Sequence, residues 1–116
     1  MFKIKLASIY IISCGEYYYL GYSTDTFSRW QSHYTQLKNK KHSSTNFQKL
    51  WDKTTPEQWD FRILEYVSLT QFKKEYNLKG KELDAKFRTL MLKKEKEWMS
   101  KYSITFCLNK ANKYFS

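Results

Sequence analysis

Residues 8–21 read SIYIISCGEYYYLG, and this stretch decides the fold. Two runs of β-branched and aromatic residues, the types that strands favour, lie on either side of Cys14 and Gly15. Glycine readily adopts the positive φ that a two-residue hairpin loop needs. The stretch therefore predicts an antiparallel hairpin that turns at Cys14 and Gly15.

The register of this hairpin determines which side chains share a face of the sheet. The predicted turn places Tyr10 opposite Tyr19. It also places Ser8 opposite Gly21, and directly opposed residues lie on the same face. The other face carries apolar side chains that can be buried, namely Ile9, Ile11 and Leu20. Because antiparallel sheets commonly leave one face to solvent, we expect the two tyrosines to lie on the solvent-facing floor of a site.

The composition indicates one small, strongly basic domain over residues 1–116. The chain has 21 Lys and Arg against 11 Asp and Glu, which gives a formal net charge of +10. Such a charge favours polyanionic partners, of which nucleic acid is the most common. An anionic membrane surface and a basic surface without a specific partner are the alternatives, and composition does not choose among the three.

The two cysteines, Cys14 and Cys107, lack disulfide or zinc-ligand spacing and are interpreted as reduced thiols. This interpretation predicts a cytoplasmic location, in the host cytoplasm if the chain is viral. The longest apolar stretch, residues 6–12, is too short to span a bilayer, so no membrane partner is predicted. A lipoprotein signal ending at Cys14 is a weaker alternative, because its charged and apolar segments are both short.

A helix is predicted to follow the hairpin. Residues 23–26 are rich in helix-capping types, with Thr24 or Asp25 as the N-cap, and the helix continues to about residue 37. Arg29 and His33 are four residues apart, so they lie on one face of this helix. The apolar stripe is predicted on the adjoining face, at helical spacing, as Phe27, Trp30, Tyr34 and Leu37.

The rest of the chain completes an α+β fold in which helices flank a three-stranded antiparallel sheet. Pro56 separates a short helix from the third strand, because proline disfavours helix at the residue before it. The predicted segments are a loop, a short helix, a strand, a second short helix and a long helix, over residues 38–45, 45–53, 59–67, 68–76 and 81–101 in turn.

The long helix contains an acidic residue within its apolar stripe. That stripe is predicted to consist of Leu83, Phe87, Leu90, Met91 and Trp98. Glu95 falls within it, and an inward carboxylate is costly unless it is paired or bound to metal. An ion pair with a lysine or arginine and a metal site therefore both remain open, whereas Glu97 falls on the solvated face.

These segments resemble, in order, the motifs of the GIY-YIG nuclease superfamily, and most closely in pattern the catalytic domain of phage-encoded intron homing endonucleases. The resemblance covers residues 7–111, with Ser8 where the family usually has glycine. The matching positions are SIY at 8–10, YLG at 19–21, Arg29, His33, HSS at 42–44, Gln48, EKEWM at 95–99 and CLNKA at 107–111.

The resemblance implies a GIY-YIG-like fold and a metal-dependent endonuclease that hydrolyses DNA by a one-metal mechanism. It implies Mg²⁺ at Glu95, with Mn²⁺ able to substitute, DNA as the partner, and no small-molecule cofactor. A non-catalytic nucleic-acid-binding protein on the same fold is the alternative. The sequence makes no prediction of an oligomeric state. The catalytic set that the resemblance implies is Tyr10, Tyr19, Arg29, His33, His42, Glu95 and Asn109.

The chemistry of these side chains suits phosphodiester hydrolysis. Arg29 offers a planar, permanently charged fork for phosphate oxygens. Either tyrosine can orient or deprotonate water, and His33 and His42 titrate nearer neutrality and are alternative acids or bases, so the general base is left open. Five lysines are predicted to follow the DNA backbone by phosphate contact. They are Lys38, Lys40, Lys41, Lys49 and Lys53.

Overall fold

The computed structural model describes residues 6–109. It confirms an α+β arrangement in which helices flank a three-stranded antiparallel sheet. Short 3₁₀ turns at Pro56–Gln58 and Ile104–Phe106 accompany the regular elements. The strands and helices are, in chain order, β1 Ser8–Cys14, β2 Tyr17–Ser23, α1 Thr26–Lys38, α2 Thr45–Asp52, β3 Asp60–Tyr66, α3 Leu69–Tyr76 and α4 Gly80–Met99.

The hairpin forms, but its register differs from the predicted one by two residues. Cys14 pairs with Tyr17, so the two loop residues are Gly15 and Glu16, and Gly15 has the expected positive φ of 59°. Glycine at the first loop position is the pattern of a type II′ turn. Tyr10 is therefore opposite Gly21 rather than Tyr19.

The two-residue shift also pairs Ser8 with Ser23 and Tyr19 with Ile12. Because side chains alternate with a period of two, a shift of two residues leaves every side chain on its predicted face. Tyr10 and Tyr19 consequently share a face, as diagonal rather than direct neighbours.

Both faces of the sheet are covered, so the expectation of a solvent-facing tyrosine floor is wrong. The strand order is β2-β1-β3, which places β1 in the centre. Tyr10 is 1% exposed and Ser8 is fully buried. On their face, side chains of α1 and α2, including Leu37 and Phe47, complete one core. On the other face, Ile9, Ile11 and Leu20 pack as predicted against α3 and α4.

Helix α1 begins where the capping residues predicted, but its buried face is rotated from the predicted stripe. The Asp25 side chain accepts a hydrogen bond from the Ser28 backbone N–H. Phe27 and Tyr34 are 52% and 43% exposed. The buried positions of α1 are instead Thr26, His33 and Leu37. The buried residues keep helical spacing, but His33 is buried in place of Tyr34. The interior supplies hydrogen-bond partners for both ring nitrogens of His33.

Helix α4 packs as its apolar spacing predicts. Leu83, Phe87 and Met91 are buried, and the predicted stripe residues Leu90 and Trp98 are partly buried against the same core. In residues 6–109, no helix combines the length and the apolar character needed to cross a bilayer.

A hydrogen-bonded anchor ties the end of α4 to β3. The Glu65 carboxylate accepts hydrogen bonds from Lys94 Nζ at 2.6 Å and from Trp98 Nε1 at 2.9 Å. These two hydrogen bonds lower the pKa of Glu65. Lys94 and Trp98 lie on either side of Glu95 in the sequence. Their hydrogen bonds to Glu65 therefore fix the orientation of this part of α4, and with it the direction in which Glu95 projects.

Candidate active site

A cavity of about 700 Å³ lies among β2, α1 and α4, at the edge of the sheet. It collects five of the seven predicted catalytic residues. Glu95 is half-buried, whereas Arg29 is exposed on the first turns of α1. The predicted catalytic residues that line the cavity are Tyr10, Tyr19, Arg29, Glu95 and Asn109.

Gly21 makes room for the Tyr10 phenol. A Cβ atom at Gly21 would lie 2.7 Å from the Tyr10 hydroxyl oxygen and 2.8 Å from Cζ, well inside normal contact distance. The tyrosine ring thus crosses the strand pair directly over its opposed residue. This position needs glycine because of space and not because of backbone conformation.

The two phenols, one guanidinium and one carboxylate influence one another electrostatically. Burial raises the pKa of Tyr10 well above its usual range, and it also raises the pKa of Tyr19. Arg29 opposes the rise in both pKa values, through its charge and a hydrogen bond to each phenol. The Glu95 charge raises both pKa values further. Side chains from β1, β2, α1 and α4 therefore meet in one electrostatic unit.

His33 and His42 lie behind Tyr10 in a chain of hydrogen bonds. The Tyr10 hydroxyl is 2.7 Å from His33 Nε2, and His33 Nδ1 is 2.8 Å from His42 Nε2. The Ser44 backbone N–H donates to His42 Nδ1 at 2.9 Å. Both imidazoles are buried and stack with ring centroids 5.0 Å apart. Neither histidine lines the cavity, and both also pack against the ring of Tyr19, with centroids 5.0 Å from His33 and 5.6 Å from His42.

The Ser44 backbone gives this chain a direction. A backbone N–H only donates, so His42 Nδ1 accepts and carries no proton. Neutral His42 therefore carries its proton on Nε2 and donates to His33 Nδ1. The same reasoning places the His33 proton on Nε2, from which it donates to the Tyr10 oxygen. The Tyr10 proton is then available to a partner in the cavity.

The histidines do not titrate near neutrality as the sequence analysis expected. Burial, with the Arg29 charge as the next cause, lowers the pKa of His33 to about 3. Burial and Arg29 lower the pKa of His42 to about 4. Both rings are consequently neutral at physiological pH, and the Nε2–H of His33 donates a hydrogen bond to the Tyr10 oxygen.

The donor set suits a hard cation with few protein ligands. In the part of the chain that the structure describes, no group of three or more His, Cys, Asp or Glu side chains is placed to hold a metal ion. Glu95 offers one carboxylate in a cavity otherwise lined mainly by uncharged groups. Mg²⁺ commonly binds through one or two carboxylates, with water and substrate phosphates as its other ligands. Glu95 therefore fits a magnesium site that substrate completes.

Asn109 joins the end of the described chain to β2. Its side-chain oxygen accepts a hydrogen bond from the Leu20 backbone N–H at 2.9 Å, and its amide donates to the Leu20 carbonyl. The neighbouring Leu108 N–H donates to Tyr18 at 2.7 Å. The Asn109 side chain thus bonds to the β2 backbone in the way that a neighbouring strand would. This places Asn109 beside Tyr19 in the wall of the cavity.

Ser44 and Gln48 both position the loop that carries His42, a role that their family motif does not predict. Ser44 is the N-cap of α2 and accepts from the Phe47 backbone. The Gln48 carbonyl accepts from the His42 backbone N–H at 3.1 Å, and its amide donates to the Leu37 carbonyl at 2.9 Å. Serine just before a predicted helix is an N-cap signal, which could have found the first of these roles.

The five lysines predicted to contact DNA are all exposed, and none of them lines the cavity. Lys38 and Lys40 line a separate hollow of about 310 Å³ beside Trp51. Lys40 Nζ also lies 4.0 Å from the Asp52 carboxylate. Their DNA contacts stay a prediction.

This arrangement of sheet and helices is the fold of a homing-endonuclease catalytic domain. No protein-family model matches the chain. No curated protein matches it either.

Two solved structures share the fold over almost the whole chain. The catalytic domain of the intron endonuclease I-TevI, with a single glutamate-to-alanine substitution, has a TM-score of 0.68 and 22% sequence identity, over 96% of this chain and 99% of that one. The catalytic domain of the homing endonuclease I-TevI has a TM-score of 0.66 at 22% identity, over 90% and 98%. The resemblance seen in the motifs is thereby confirmed at the level of the fold.

Proposed function

We propose that this protein is a metal-dependent endonuclease that hydrolyses DNA phosphodiester bonds by a GIY-YIG-type, one-metal mechanism. The observation that carries the proposal is the meeting of Glu95 and Arg29 in one cavity with the phenols of Tyr10 and Tyr19. The net charge of +10 suits a polyanionic substrate. Both solved structures that share the fold are of one protein, which is named an endonuclease.

Each cavity residue has a role that follows from its chemistry. Arg29 binds the non-bridging oxygens of the scissile phosphate and neutralises the charge that grows on them in the transition state. Glu95 holds Mg²⁺, with Mn²⁺ as a substitute. When bound, the ion supplies Lewis-acid polarisation of a phosphoryl oxygen. Tyr19 lies beside Arg29 and orients the attacking water.

Tyr10 is the proposed proton acceptor. Burial holds the pKa of its phenol above the usual range, so its phenolate depends on the hydrogen-bond donors and positive charge around the oxygen. The His33 Nε2–H donates to the phenol oxygen, and such a donor strengthens as negative charge develops there. Arg29 also favours the phenolate. His42 and the Ser44 N–H keep His33 in the tautomer that donates. The histidines therefore act through Tyr10 and do not touch the water.

A plasmid-nicking assay with variants of α1 and α4 tests this proposal. We expect wild type to nick supercoiled DNA with Mg²⁺ or Mn²⁺ but not with EDTA. Glu95→Gln and Arg29→Ala should each lower turnover by about 10²-fold or more, since each removes charge stabilisation from the transition state. Glu97→Gln is the control, because Glu97 is exposed on the same helix and does not line the cavity.

Two outcomes would contradict the proposal. Equal cleavage by Glu95→Gln and Glu97→Gln would remove Glu95 from the mechanism. Salt-sensitive DNA binding by wild type without cleavage under any divalent ion would favour the non-catalytic alternative.

A further inference from the structure

The distribution of arginine and lysine differs sharply between the cavity and the rest of the chain. The sequence contains three arginines and eighteen lysines. Two of the arginines, Arg29 and Arg88, line the cavity, and none of the lysines that the structure describes does so. The third arginine, Arg62, pairs with Asp60 at 3.3 Å on β3. Because guanidinium binds phosphate in a bidentate manner that ammonium cannot reproduce, this distribution points to two phosphate contacts in one cavity.

Arg88 lies on the same stripe of α4 as Glu95, two helical turns earlier. Seven residues correspond to about 10 Å along the helix axis. Met91 lines the cavity wall between them. Within residues 6–109, Arg88 has no salt bridge and no hydrogen bond from its side chain. Its guanidinium is exposed and available to a ligand.

We propose that Arg88 binds a second backbone phosphate of the DNA strand whose scissile phosphate is held by Arg29 and Glu95. This inference rests on the proposed function. Phosphates of one strand rise by about 3.4 Å per nucleotide along the DNA axis and also wind around it, so they are farther apart in space than this rise. A separation of about 10 Å therefore spans about one or two nucleotides, and Arg88 contacts a phosphate at that distance on one side of the cut. A cavity of about 700 Å³ is large enough for more than an isolated phosphate.

Asp84 sets the limit of this subsite. It lies one turn before Arg88 and also lines the cavity, so its carboxylate repels phosphates at that end. The strand then leaves the cavity beyond Arg88 instead of following α4 to its first turn. We expect Asp84→Asn to tighten DNA binding about twofold to fivefold by removing this repulsion.

A binding titration tests Arg88 independently of catalysis. We expect Arg88→Ala to weaken binding of a fluorescent duplex of 20 base pairs, in EDTA, by about threefold to tenfold, and to lower the slope of log K against log [NaCl] by about one. Lys93→Ala removes the same charge from an exposed position of α4 outside the cavity, and should change binding less than twofold. Thermal melting of each variant checks that the fold is retained.

A cleavage experiment locates the contacted phosphate. Duplexes with a mapped nick site would carry one neutral methylphosphonate linkage at successive positions on each side of the cut. We expect one position, about one or two nucleotides from the nick on one side, at which the neutral linkage lowers kcat/KM for wild type and Lys93→Ala but not for Arg88→Ala.

The results separate this inference from the proposed function. Arg88→Ala that binds like Lys93→Ala, or that stays sensitive at the same methylphosphonate position, overturns the inference and leaves the nuclease proposal standing. Wild type that binds DNA without cutting it overturns the nuclease proposal, and the titration still decides on Arg88. Wild type that binds no DNA overturns both.

Discussion

The two histidines behind the Tyr10 hydroxyl have lower pKa values than exposed histidines, because packing buries them. His33 is 1% exposed and His42 is 8% exposed, and the nearby Arg29 charge disfavours their protonation. Each ring nitrogen nevertheless has a hydrogen-bond partner, so the neutral rings are satisfied in the interior. The residue type suggested acid–base chemistry near neutrality. The environment converts it into a fixed hydrogen-bond donor for a tyrosine.

The low histidine pKa values make folding stability depend on pH. Below pH 6.5 the unfolded chain binds protons that the folded chain, with pKa values of about 3 for His33 and about 4 for His42, does not bind. Stability is therefore fully present above pH 6.5 and is lost as the pH falls below it. The loss is up to about 1.4 kcal/mol per pH unit for each histidine.

Urea unfolding at pH 7 and pH 5 measures this dependence. We expect the free energy of unfolding to fall by about 2 to 4 kcal/mol across this interval, in which carboxylates stay largely ionised. In the folded protein, the imidazole NMR shifts of both histidines should stay constant from pH 8 to pH 5. A folded-state titration of either ring near pH 6.5 would contradict the buried, neutral assignment.

At the scale of elements, the pairing of β1 with β2 places the site at the sheet edge. Tyr10 can cross to the cavity only because the residue opposite is Gly21. On the other side, the Glu65 anchor holds α4 so that Glu95 reaches the same cavity. Tyr10 packs on one face of the sheet and α4 packs on the other. Their side chains meet at the edge strand β2, where Gly21 has no side chain to block the Tyr10 phenol.

Gly21→Ala tests this close approach. The added methyl would overlap the Tyr10 phenol, and we expect a loss of about 1 to 3 kcal/mol in stability together with a loss of cleavage, because the phenol must move. Tyr10→Phe removes the nearest atom, so the double variant should recover part of the lost stability. Denaturant unfolding of the two single variants and the double variant gives the coupling. Additive effects would show that the alanine is accommodated elsewhere.

At the scale of the whole molecule, the charge is divided between two kinds of surface. The cavity has arginines and acids that form a local site, whereas the exposed lysines of the α1–α2 region lie outside it. Exposed lysines bind phosphates without sequence preference and set affinity through counterion release. This division predicts that removing them changes how tightly DNA is held and not how fast bound DNA is cut.

A double substitution tests that division. We expect Lys38→Ala combined with Lys41→Ala to weaken duplex binding and to lower the salt slope by about two, with kcat at saturating DNA unchanged. Lys73→Ala combined with Lys74→Ala removes the same charge from exposed positions on α3 and serves as the control. Equal losses in both double variants would mean that the whole basic surface, and not the α1–α2 region, attracts DNA.

The sequence by itself determined the elements of the fold and five of the residues that line the cavity. Local signals were enough to place the hairpin, the cap at Asp25 and the stripe of α4 that contains Glu95, because turns, caps and apolar spacing act over a few residues. The family motifs selected the residues that meet in the cavity.

Only the tertiary structure decided the register of the hairpin, the burial of Tyr10 and the pKa values of His33 and His42. It also decided that Arg88 lines the same cavity as Glu95. Desolvation and proximity depend on which distant segments pack together, and a local pattern does not contain that information. The same residue types on a differently packed sheet would titrate differently and would not converge on one cavity.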